Sequence, residues 1–317
     1  LDTPFKKIDG NFVATSWEDA LSIASEQMQN GKTTFVSGDI VSTEALYAAS
    51  KLSEYLDGAK VLGDLGTSCS LDGRSFYVGN GKIECIDNAK NIFLLGSNPR
   101  KEGSVINARI RKAWLAGTNV YRLGTEENLT YDVTELGHSV YDLQIFLDKM
   151  RTKKSFWTDT IFLVGYSFLN SKSSDSALNT VRSMVEKYKS KFLVLHPNAS
   201  AVGALDLGYE TDSRIKQKLL SDSKTIYNLG CDTLPPNQEG FMIYQGSHGD
   251  KGAVSADLIL PSTCYLEEDG IFVNTEGRGQ YARKAIQPPG NAKENWRILR
   301  ALSERLGFIP NYLDLNG

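Results

Sequence analysis

The residues of this chain with the most specific chemistry are its histidines and cysteines. They are His138, His196 and His248, and Cys69, Cys85, Cys231 and Cys264. No two histidines stand four residues apart and no cysteine pair has Cys-x-x-Cys spacing, which argues against a helical metal pair, a zinc ribbon and a ferredoxin-type cluster. A Ser–His–Asp triad stays open by spacing, although the chain lacks the Gly-x-Ser-x-Gly turn. We predict buried, structural cysteines in a reducing compartment.

A second candidate is the glycine motif at residues 277–282, GRGQYA, which matches the dinucleotide pattern Gly-x-Gly-x-x-Ala. A dinucleotide site requires this motif to follow a strand and to open a helix, so that the helix N-terminus faces the pyrophosphate. A strand is predicted just before it, at residues 271–273. The sequence QPPG at residues 287–290 follows too soon for a full helix. We therefore predict a turn rather than a nucleotide site.

The segment GSHGDKG, residues 246–252, is glycine-rich and follows a predicted strand. It is not a P-loop, because Lys251 is not followed by Ser or Thr. Two interpretations remain. The loop could line a ligand crevice at the carboxyl end of a strand in a doubly wound sheet. Alternatively, Gly246, Gly249 and Gly252 could serve a tight connection that needs residues with positive φ.

Three adjacent carboxylates, Glu267, Glu268 and Asp269, form the densest acidic run in this part of the chain. Oxygen ligands of this kind could bind a hard cation. An acidic run beside a glycine is more typical of a solvated loop, since charged side chains are rarely buried without partners. We interpret the run as a solvated loop.

Short apolar runs alternate with helical patterns along most of the chain. We predict strands at residues 33–36, 92–95, 120–123, 160–164, 192–195, 226–229 and 242–244. We predict helices that begin near Thr15, with Glu18 at capping-box spacing, and near Ser42, and further helices at residues 105–115, 141–150, 175–188 and 294–306. This alternation is typical of βαβ units and a mostly parallel sheet covered on both faces. Residues 1–12 and 62–83 show neither pattern, and we predict irregular structure there.

Composition narrows the function classes. The chain has 317 residues, a formal net charge of −3 and 41% hydrophobic residues. These values argue against disorder, and the lack of a basic excess argues against nucleic acid as a partner. No apolar run approaches the roughly 18–20 residues of a membrane helix. Because the length exceeds the roughly 250–300 residues at which a single core stops growing, we expect two connected lobes.

Three sequence blocks occur in a fixed order. SWEDAL occupies residues 16–21, GSNP and RIRK lie within residues 96–112, and ADLILPSTCYLEEDGIFVNTEGRGQ followed by PPGNAKENWRILRALSERLG lies within residues 256–307. They resemble the first helix, the G-x-NP unit and the closing signature of the molybdopterin oxidoreductase superfamily. The matching positions of the closing signature are Ala256, Asp257, Leu260, Pro261, Glu267, Gly270, Asn274, Glu276, Gly277, Arg278 and Gln280. Asn295 stands where the family usually has Asp.

This resemblance implies an α/β fold with two related, doubly wound, mostly parallel sheets, one lobe being inserted into the other. We expect an outer lobe at residues 13–65 and 151–290, an inserted lobe at residues 66–150, and a C-terminal helix and tail at residues 291–317. Active members hold their metal through Cys, selenocysteine, Ser or Asp in the segment that matches residues 65–74. Cys69 and Ser70 stand there, but the surrounding pattern does not match a ligand-bearing segment.

Within the superfamily, one branch is more similar than the rest. Residues 98–112, 203–209 and 244–250 resemble the large peripheral-arm subunits of respiratory complex I, in which an iron–sulfur part precedes a molybdopterin-oxidoreductase-like part. This chain resembles only the second part. The resemblance implies a catalytically silent structural subunit, without catalytic, cofactor-binding or metal-binding residues of its own. The iron–sulfur clusters and FMN of electron transfer from NADH to ubiquinone would belong to partner chains or to the cluster-bearing part.

The same resemblance implies partners and a location. The expected partners are the cluster-bearing part of the subunit and other peripheral-arm subunits of complex I, without nucleic acid and without membrane insertion. The expected location is the matrix side of the mitochondrial inner membrane, or the cytoplasmic side of the plasma membrane in a bacterium. We expect residues 1–12 and 62–83 to dock against a partner, because glycine-rich segments are costly to order. Arg109 and Arg278 occupy signature positions, and we expect both to be structural.

Two alternatives stay open. The chain could be a fragment of an active molybdenum or tungsten oxidoreductase that a partner chain completes. It could also be an independent α/β domain with a small ligand at residues 246–252. A metal analysis separates the first alternative from a structural subunit, and a bound metabolite would identify the second.

Overall fold

In a computed structural model, the described residues are 1–68, 71, 73–150, 152–171, 173–235, 239–312 and 314–315. The chain divides into two compact units. Unit 1 comprises Leu1–Gly66, Asn198–Asn274 and Gly279–Gly317, and unit 2 comprises Thr67–Pro197 and Thr275–Arg278. Each unit is built around its own mostly parallel sheet, as the sequence predicted.

The strands and helices of the described residues follow in chain order. The strands are β1 (Phe5–Ile8), β2 (Asn11–Ala14), β3 (Thr33–Ser37), β4 (Lys60–Thr67), β5 (Asn91–Leu95), β6 (Asn119–Leu123), β7 (Thr134–Gly137), β8 (Thr160–Val164), β9 (Lys191–Val194), β10 (Glu210–Asp212), β11 (Thr225–Leu229), β12 (Phe241–Gly246), β13 (Leu258–Pro261), β14 (Gly270–Val273) and β15 (Gly279–Ala282). The helices are α1 (Trp17–Gln29), α2 (Thr43–Tyr55), α3 (Arg74–Tyr77), α4 (Pro99–Glu102), α5 (Ser104–Leu115), α6 (Val140–Met150), α7 (Lys154–Trp157), α8 (Tyr166–Leu169), α9 (Ser174–Tyr188), α10 (Ala201–Asp206), α11 (Ser213–Ser221), α12 (Lys251–Val254) and α13 (Asn295–Arg305). A 3₁₀ turn lies at Ile83–Ile86.

The sheet of unit 1 has the strand order β10-β4-β3-β11-β12-β13-β1-β2. Its central strands, from β4 to β13, pair in parallel, and β3 and β11 are buried along their whole length. Strands buried on both faces must be apolar throughout, which explains their continuous rather than alternating patterns. One core of this unit joins Phe35 and Tyr227 of the sheet to Leu46 of α2 and Leu302 of α13. The C-terminal helix therefore belongs to unit 1 and is not a separate element.

The first residues form an ordered hairpin, which the sequence pattern did not predict. Strand β1 pairs antiparallel with both β13 and β2, and Ile8 lies opposite Asn11. Asp9 and Gly10, with φ of 48° and 80°, make the two-residue turn that such hairpins prefer. The Thr15 amide donates to the Pro4 carbonyl at 2.9 Å. The N-cap of α1 is consequently the next residue, Ser16, whose Oγ accepts the Asp19 amide at 3.0 Å.

The sheet of unit 2 has the strand order β7-β6-β5-β8-β9, and every pair is parallel. The expected inserted lobe ended at residue 150, whereas the structure extends unit 2 to Pro197. The reason is that β8 pairs with the central strand β5, so residues after 150 complete the same sheet. Aromatic rings close one side of it, with Phe93 4.7 Å from Tyr121 and 5.0 Å from Phe162 between centroids.

Residues 62–83 are more regular than expected. Strand β4 runs to Thr67, and α3 follows at Arg74–Tyr77. In unit 2, Gly79 forms a bridge with Leu193 of β9, and a Cβ at Gly79 would lie 2.1 Å from the Phe192 carbonyl oxygen. Residue 79 must therefore be a glycine because two backbones approach each other closely. This part of the segment is not a long irregular loop. Cys69 and Ser70 lie outside the described residues.

Candidate functional site

A crevice opens at the carboxyl end of the unit 1 sheet. In chain order, β3, β4 and β10 extend to one side, and β11, β12 and β13 extend to the other. The strand order therefore reverses between β3 and β11, and loops that diverge at such a switch point leave a ligand crevice in doubly wound sheets. The cavity measures about 210 Å³. Its lining includes Asp39, Asp232, residues 244–248, Asp250 and residues 262–265.

The glycine-rich loop at residues 246–252 lines this crevice, in agreement with the first of its two interpretations. None of its glycines has a positive φ, so the second interpretation does not hold for this loop. The glycines serve close packing instead. A Cβ at Gly246 would lie 2.4 Å from the Tyr244 ring, and one at Gly252 would lie 2.6 Å from the same ring.

Three carboxylates face the crevice, from Asp39, Asp232 and Asp250. Asp232 Oδ1 accepts the Gly252 amide at 2.8 Å, near the start of α12. Burial raises the pKa of Asp39, and the neighbouring charges of Asp64 and Asp232 raise it further. Among the lining residues that the structure describes there is no Lys or Arg. The described lining therefore contains more acidic than basic side chains.

A polar network joins Thr263 and Asn295, which line the crevice, to Glu268 of the acidic run. Glu268 is only 4% exposed. Its carboxylate accepts the Thr263 hydroxyl at 2.7 Å and both the amide and Nδ2 of Asn295 at 3.0 Å. The interpretation of the run as a solvated loop is thus wrong for Glu268, because hydrogen bonds replace its hydration. Burial raises its pKa.

The outer carboxylates of the run hold backbone amides. Glu267 Oε2 accepts the Cys264 amide and Asp269 Oδ1 accepts the Lys284 amide, each at 3.0 Å. Ser262, beside this network, is buried, and its hydroxyl has no hydrogen-bond partner in the described part of the chain. Across the residues that the structure describes, no three His, Cys, Asp or Glu side chains are placed to hold a metal ion.

The Gly-x-Gly-x-x-Ala motif forms no helix, as predicted. Strands β14 and β15 make an antiparallel hairpin, and Gly277 turns the chain with a φ of 75°. The Gly277 carbonyl accepts Arg74 Nη2 at 3.1 Å, and Glu276 Oε2 accepts the Ile83 amide at 2.9 Å. Polar groups of this turn therefore already form hydrogen bonds with other residues of unit 2. Arg278 pairs with Glu276 at 3.0 Å.

The histidines are not brought into a shared site. His196 Nε2 lies 2.5 Å from the Tyr77 carbonyl oxygen, and its Nδ1 lies 3.3 Å from the Tyr166 hydroxyl. Because a carbonyl only accepts, Nε2 carries the proton and Nδ1 accepts. Desolvation lowers the pKa of His196 to about 4. His138 bonds to the Gly124 carbonyl, and His248 lies in the crevice with Nδ1 2.9 Å from Ser247 Oγ.

A partly buried cluster around Asp64 of β4 contains residues that no sequence motif pointed to. Asp64 accepts the Cys231 thiol at 3.2 Å and Asn198 Nδ2 at 3.1 Å, and Lys216 Nζ donates to the Gly63 carbonyl at 3.0 Å. Burial raises the pKa of Cys231 to about 11 and lowers that of Lys216. A thiol with so high a pKa is a poor nucleophile at neutral pH, which agrees with a structural cysteine.

Unit 2 has its own switch point, between β5 and β8. The loops that follow these strands pack tightly, because a Cβ at Gly165 would lie 2.4 Å from the Gly96 carbonyl oxygen. A cavity of about 220 Å³ remains beside them. It is bordered by Arg122, a buried side chain that binds Glu135 through two nitrogens, at 2.5 and 3.1 Å.

The chain is similar to curated proteins over nearly its whole length. It is 36% identical over 338 aligned positions to the mitochondrial NADH-ubiquinone oxidoreductase 78 kDa subunit of Candida albicans, covering 99% of this chain and 46% of that protein. It is 32% identical to the NADH-ubiquinone oxidoreductase 75 kDa subunit of Reclinomonas americana, covering 96% of this chain and 49% of that protein. It is also 32% identical to a NADH-quinone oxidoreductase subunit of Rickettsia bellii, covering 96% and 47%. The chain thus spans about half the length of these relatives.

Solved structures share the fold at low sequence identity. A chain of the formyltransferase/hydrolase complex from Methylorubrum extorquens superposes with a TM-score of 0.66 at 15% identity, covering 96% of this chain and 98% of that one. Acetylene hydratase from Pelobacter acetylenicus gives 0.62 at 12% identity, covering 97% and 61%. Within the described residues, no helix has the length and apolar character needed to cross a bilayer. The model of the molybdopterin oxidoreductase family matches residues 1–305, and the chain therefore belongs to that family.

Proposed function

We propose that this chain is the molybdopterin-oxidoreductase-like part of a large peripheral-arm subunit of NADH:ubiquinone oxidoreductase, and that it is catalytically silent. Its role is to support the cluster-bearing part during electron transfer from NADH to ubiquinone. The proposal rests on one observation. The chain is 31–36% identical in sequence, over 96–99% of its length, to subunits of that enzyme in mitochondria and bacteria. Neither an active oxidoreductase fragment nor an independent binding domain has comparable support.

The crevice of unit 1 does not fit a molybdopterin. That cofactor carries phosphate, which proteins bind with Arg, Lys or unoccupied amides at a helix N-terminus. Here the described lining contains the carboxylates of Asp39, Asp232 and Asp250 and no Lys or Arg. The Gly252 amide near the start of α12 is already bonded to Asp232. These contacts support our proposal that no pterin cofactor binds in this crevice.

The partners are proposed to be the cluster-bearing part and other peripheral-arm subunits. The edge strand β2 supports docking, because all of its residues are exposed, including Phe12 and Val13 at 38% and 43%. An open strand edge with apolar side chains favours pairing with another chain. In keeping with the mitochondrial and bacterial relatives, we propose a peripheral location on the matrix side of the inner membrane, or on the cytoplasmic side in a bacterium.

The test is purification of the natural chain through an affinity tag in its source cell. We expect it to co-migrate with an assembly that oxidises NADH and contains FMN and iron, with no stoichiometric molybdenum or tungsten by elemental analysis. Either metal in an amount equal to the chain would support the active-fragment alternative. A chain that purifies without any NADH-oxidising partner would contradict the structural role.

A further inference from the structure

The two main sheets have four edge strands in the described part of the chain, β10 and β2 in unit 1 and β7 and β9 in unit 2. An edge strand presents unpaired amides and carbonyls, and proteins usually protect it with charged side chains, a bulge or a covering segment. Strand β10 is protected by charge, because two of its three residues are acidic. Glu210 Oε1 also accepts the amides of Thr211 and Asp212, at 2.8 and 2.7 Å.

The edges of the unit 2 sheet are protected in other ways. The register between β6 and β7 shifts at Arg122 and Leu123, which interrupts the regular ladder beside this edge. Along β9, the Phe192 carbonyl accepts the amides of Asn80 and Gly81 at 3.1 and 2.9 Å. The Phe192 amide donates to Asn80 Oδ1 at 2.9 Å. The segment that follows α3 therefore covers this edge.

Strand β2 has none of these protections in the described part of the chain. Its sequence, NFVA, contains no charged residue and no proline, and all four residues are exposed. Its pairing with β1 is regular, without a bulge. Phe12 and Val13 are 38% and 43% exposed, and Ile8 of the neighbouring strand is 45% exposed. This edge is therefore open, with apolar side chains beside it.

The hairpin geometry shows which backbone groups face the open side of β2. Residues of an antiparallel pair alternate between hydrogen-bonded pairs and pairs whose amides and carbonyls point outward. The two-residue turn makes the pair that flanks it, Ile8 and Asn11, a hydrogen-bonded pair. The amide of Thr15, four residues after Asn11, is also hydrogen-bonded across the hairpin, which gives the same alternation. Phe12 and Ala14 therefore direct their amides and carbonyls to the side where β2 has no neighbouring strand.

These backbone groups indicate the kind of partner that fits. A neighbouring strand offers donors and acceptors at the same spacing, whereas the backbone groups of a helix bond within the helix. Phe12 and Val13 lie on opposite faces of the sheet, so apolar side chains are favoured on both faces of an added strand. The only charged residues of β1 and β2 are Lys6 and Lys7, which favour an acidic side chain on the partner.

We propose that the open edge of β2 binds an extended, apolar segment of a partner chain that carries at least one acidic residue. This segment pairs with Phe12 and Ala14 as a ninth strand of the unit 1 sheet. The inference rests on the proposed function, because the other subunits of an assembly supply such a segment. The competing occupant is the β2 strand of a second copy, which lacks the acidic residue that Lys6 and Lys7 favour.

The first test is amide hydrogen exchange on the natural chain in the assembly from which it is isolated. We expect the amides of Phe12 and Ala14 to exchange at least about tenfold more slowly than unprotected amides, because each gains a hydrogen bond. Val13, whose amide faces β1, is the internal control and should be protected with or without a partner. Fast exchange at Phe12 and Ala14 beside slow exchange at Val13 would overturn the proposal.

The second test identifies the occupant. The photoreactive analogue p-benzoylphenylalanine is incorporated at position 12 and activated by light in the isolated assembly. We expect a cross-link to a segment of a different chain that contains apolar residues and an acidic one. A cross-link to a second copy of this chain, or to no chain, would contradict the proposal.

The third test removes one outward amide. Ala14→Pro should lower the yield of the cross-link at position 12 by at least about tenfold, because proline cannot donate to an added strand. Ala14→Val keeps the amide and is the matched control, so its yield should equal that of the parent. An equal yield in the two variants would count against strand pairing. The exchange measurement uses the unmodified chain, so it decides the matter even if Ala14→Pro does not fold.

The same experiments separate this inference from the proposed function. A chain that purifies without an NADH-oxidising assembly would contradict both. An intact NADH-oxidising assembly in which Phe12 and Ala14 exchange fast would contradict the strand pairing alone.

Discussion

The carboxylate of Glu268 accepts hydrogen bonds from both the backbone amide and the side-chain Nδ2 of Asn295, each at 3.0 Å. Asn295 stands where the resemblance to the family leads one to expect Asp. An aspartate at this position would place a second carboxylate against the buried Glu268 and remove a donor. Asn295, which differs from the Asp expected in the family, is therefore suited to the buried carboxylate of Glu268.

Asn295→Asp should destabilise the chain by about 3 kcal/mol at neutral pH, because a buried carboxylate loses its donor and gains a like charge. The loss should shrink at acidic pH, where the two carboxyl groups share a proton. Urea unfolding across pH measures both effects. Asn88→Asp, at an exposed position, is the matched control and should change the free energy of unfolding little. Equal stability of Asn295→Asp and the parent would contradict this account of the network.

Gly38→Ala should disrupt the turn that follows β3. A Cβ at Gly38 would lie 2.1 Å from the Gly230 carbonyl oxygen, and this backbone cannot move without shifting β11. Overpacking of this kind typically destabilises by about 1–3 kcal/mol. Gly249→Ala is the matched control, since nothing lies within 4 Å of the added carbon. If the urea midpoint changed equally in the two variants, the close approach of Gly38 to Gly230 would not be the cause of the destabilisation.

Arg122→Lys should be more harmful than Arg109→Lys. The Arg122 side chain is 7% exposed, binds Glu135 through two nitrogens, and donates to the Glu127 carbonyl at 2.6 Å. Lysine cannot reproduce this planar arrangement, so we expect a loss of about 3 kcal/mol. Arg109 pairs with Asp87 at 2.5 Å but is 35% exposed, and its replacement should cost at most about 1 kcal/mol.

Thermal or urea unfolding of both arginine variants tests this order. The sequence motifs pointed to Arg109 and Arg278 as structural, whereas the most deeply buried arginine pair involves Arg122 among the residues described. A larger loss in Arg109→Lys than in Arg122→Lys would reverse the assignment.

His196 should make stability depend on pH between about 6.5 and 4. Its folded pKa of about 4 lies below the ordinary histidine value of 6.5, so the folded state binds the proton less readily than the unfolded state. The stabilisation is present above pH 6.5 and is lost as pH falls towards 4. The contribution of His196 to the free energy of unfolding should stay below about 3 kcal/mol, because its ring is partly exposed to solvent.

The measurement is the free energy of unfolding of the parent and of His196→Gln, compared at each pH. Glutamine retains a donor for the Tyr77 carbonyl but does not titrate. The difference between the two proteins should therefore narrow as pH falls from 6.5. A difference that stays constant with pH would show that His196 titrates alike in both states.

The sequence alone determined the elements whose patterns are local. Strand β8 was predicted with its observed bounds, and α5 and α9 to within one residue, because apolar periodicity reports burial of a single element. The blocks at residues 96–112 and 256–307 also led to the family. The absence of a helix at residues 277–282 followed from the nearby prolines, since a helix needs length.

The tertiary structure alone decided which residues meet. Asp39, Asp232, Asp250 and Ser262 come from four loops, and only the strand order of unit 1 brings them to one crevice. The burial of Glu268 could not be predicted, because its partners Thr263 and Asn295 neutralise the cost of desolvation through contacts that no local pattern encodes. The extent of unit 2 depended in the same way on the pairing of β8 with β5. Long-range pairing sets both features, and local sequence patterns carry no record of it.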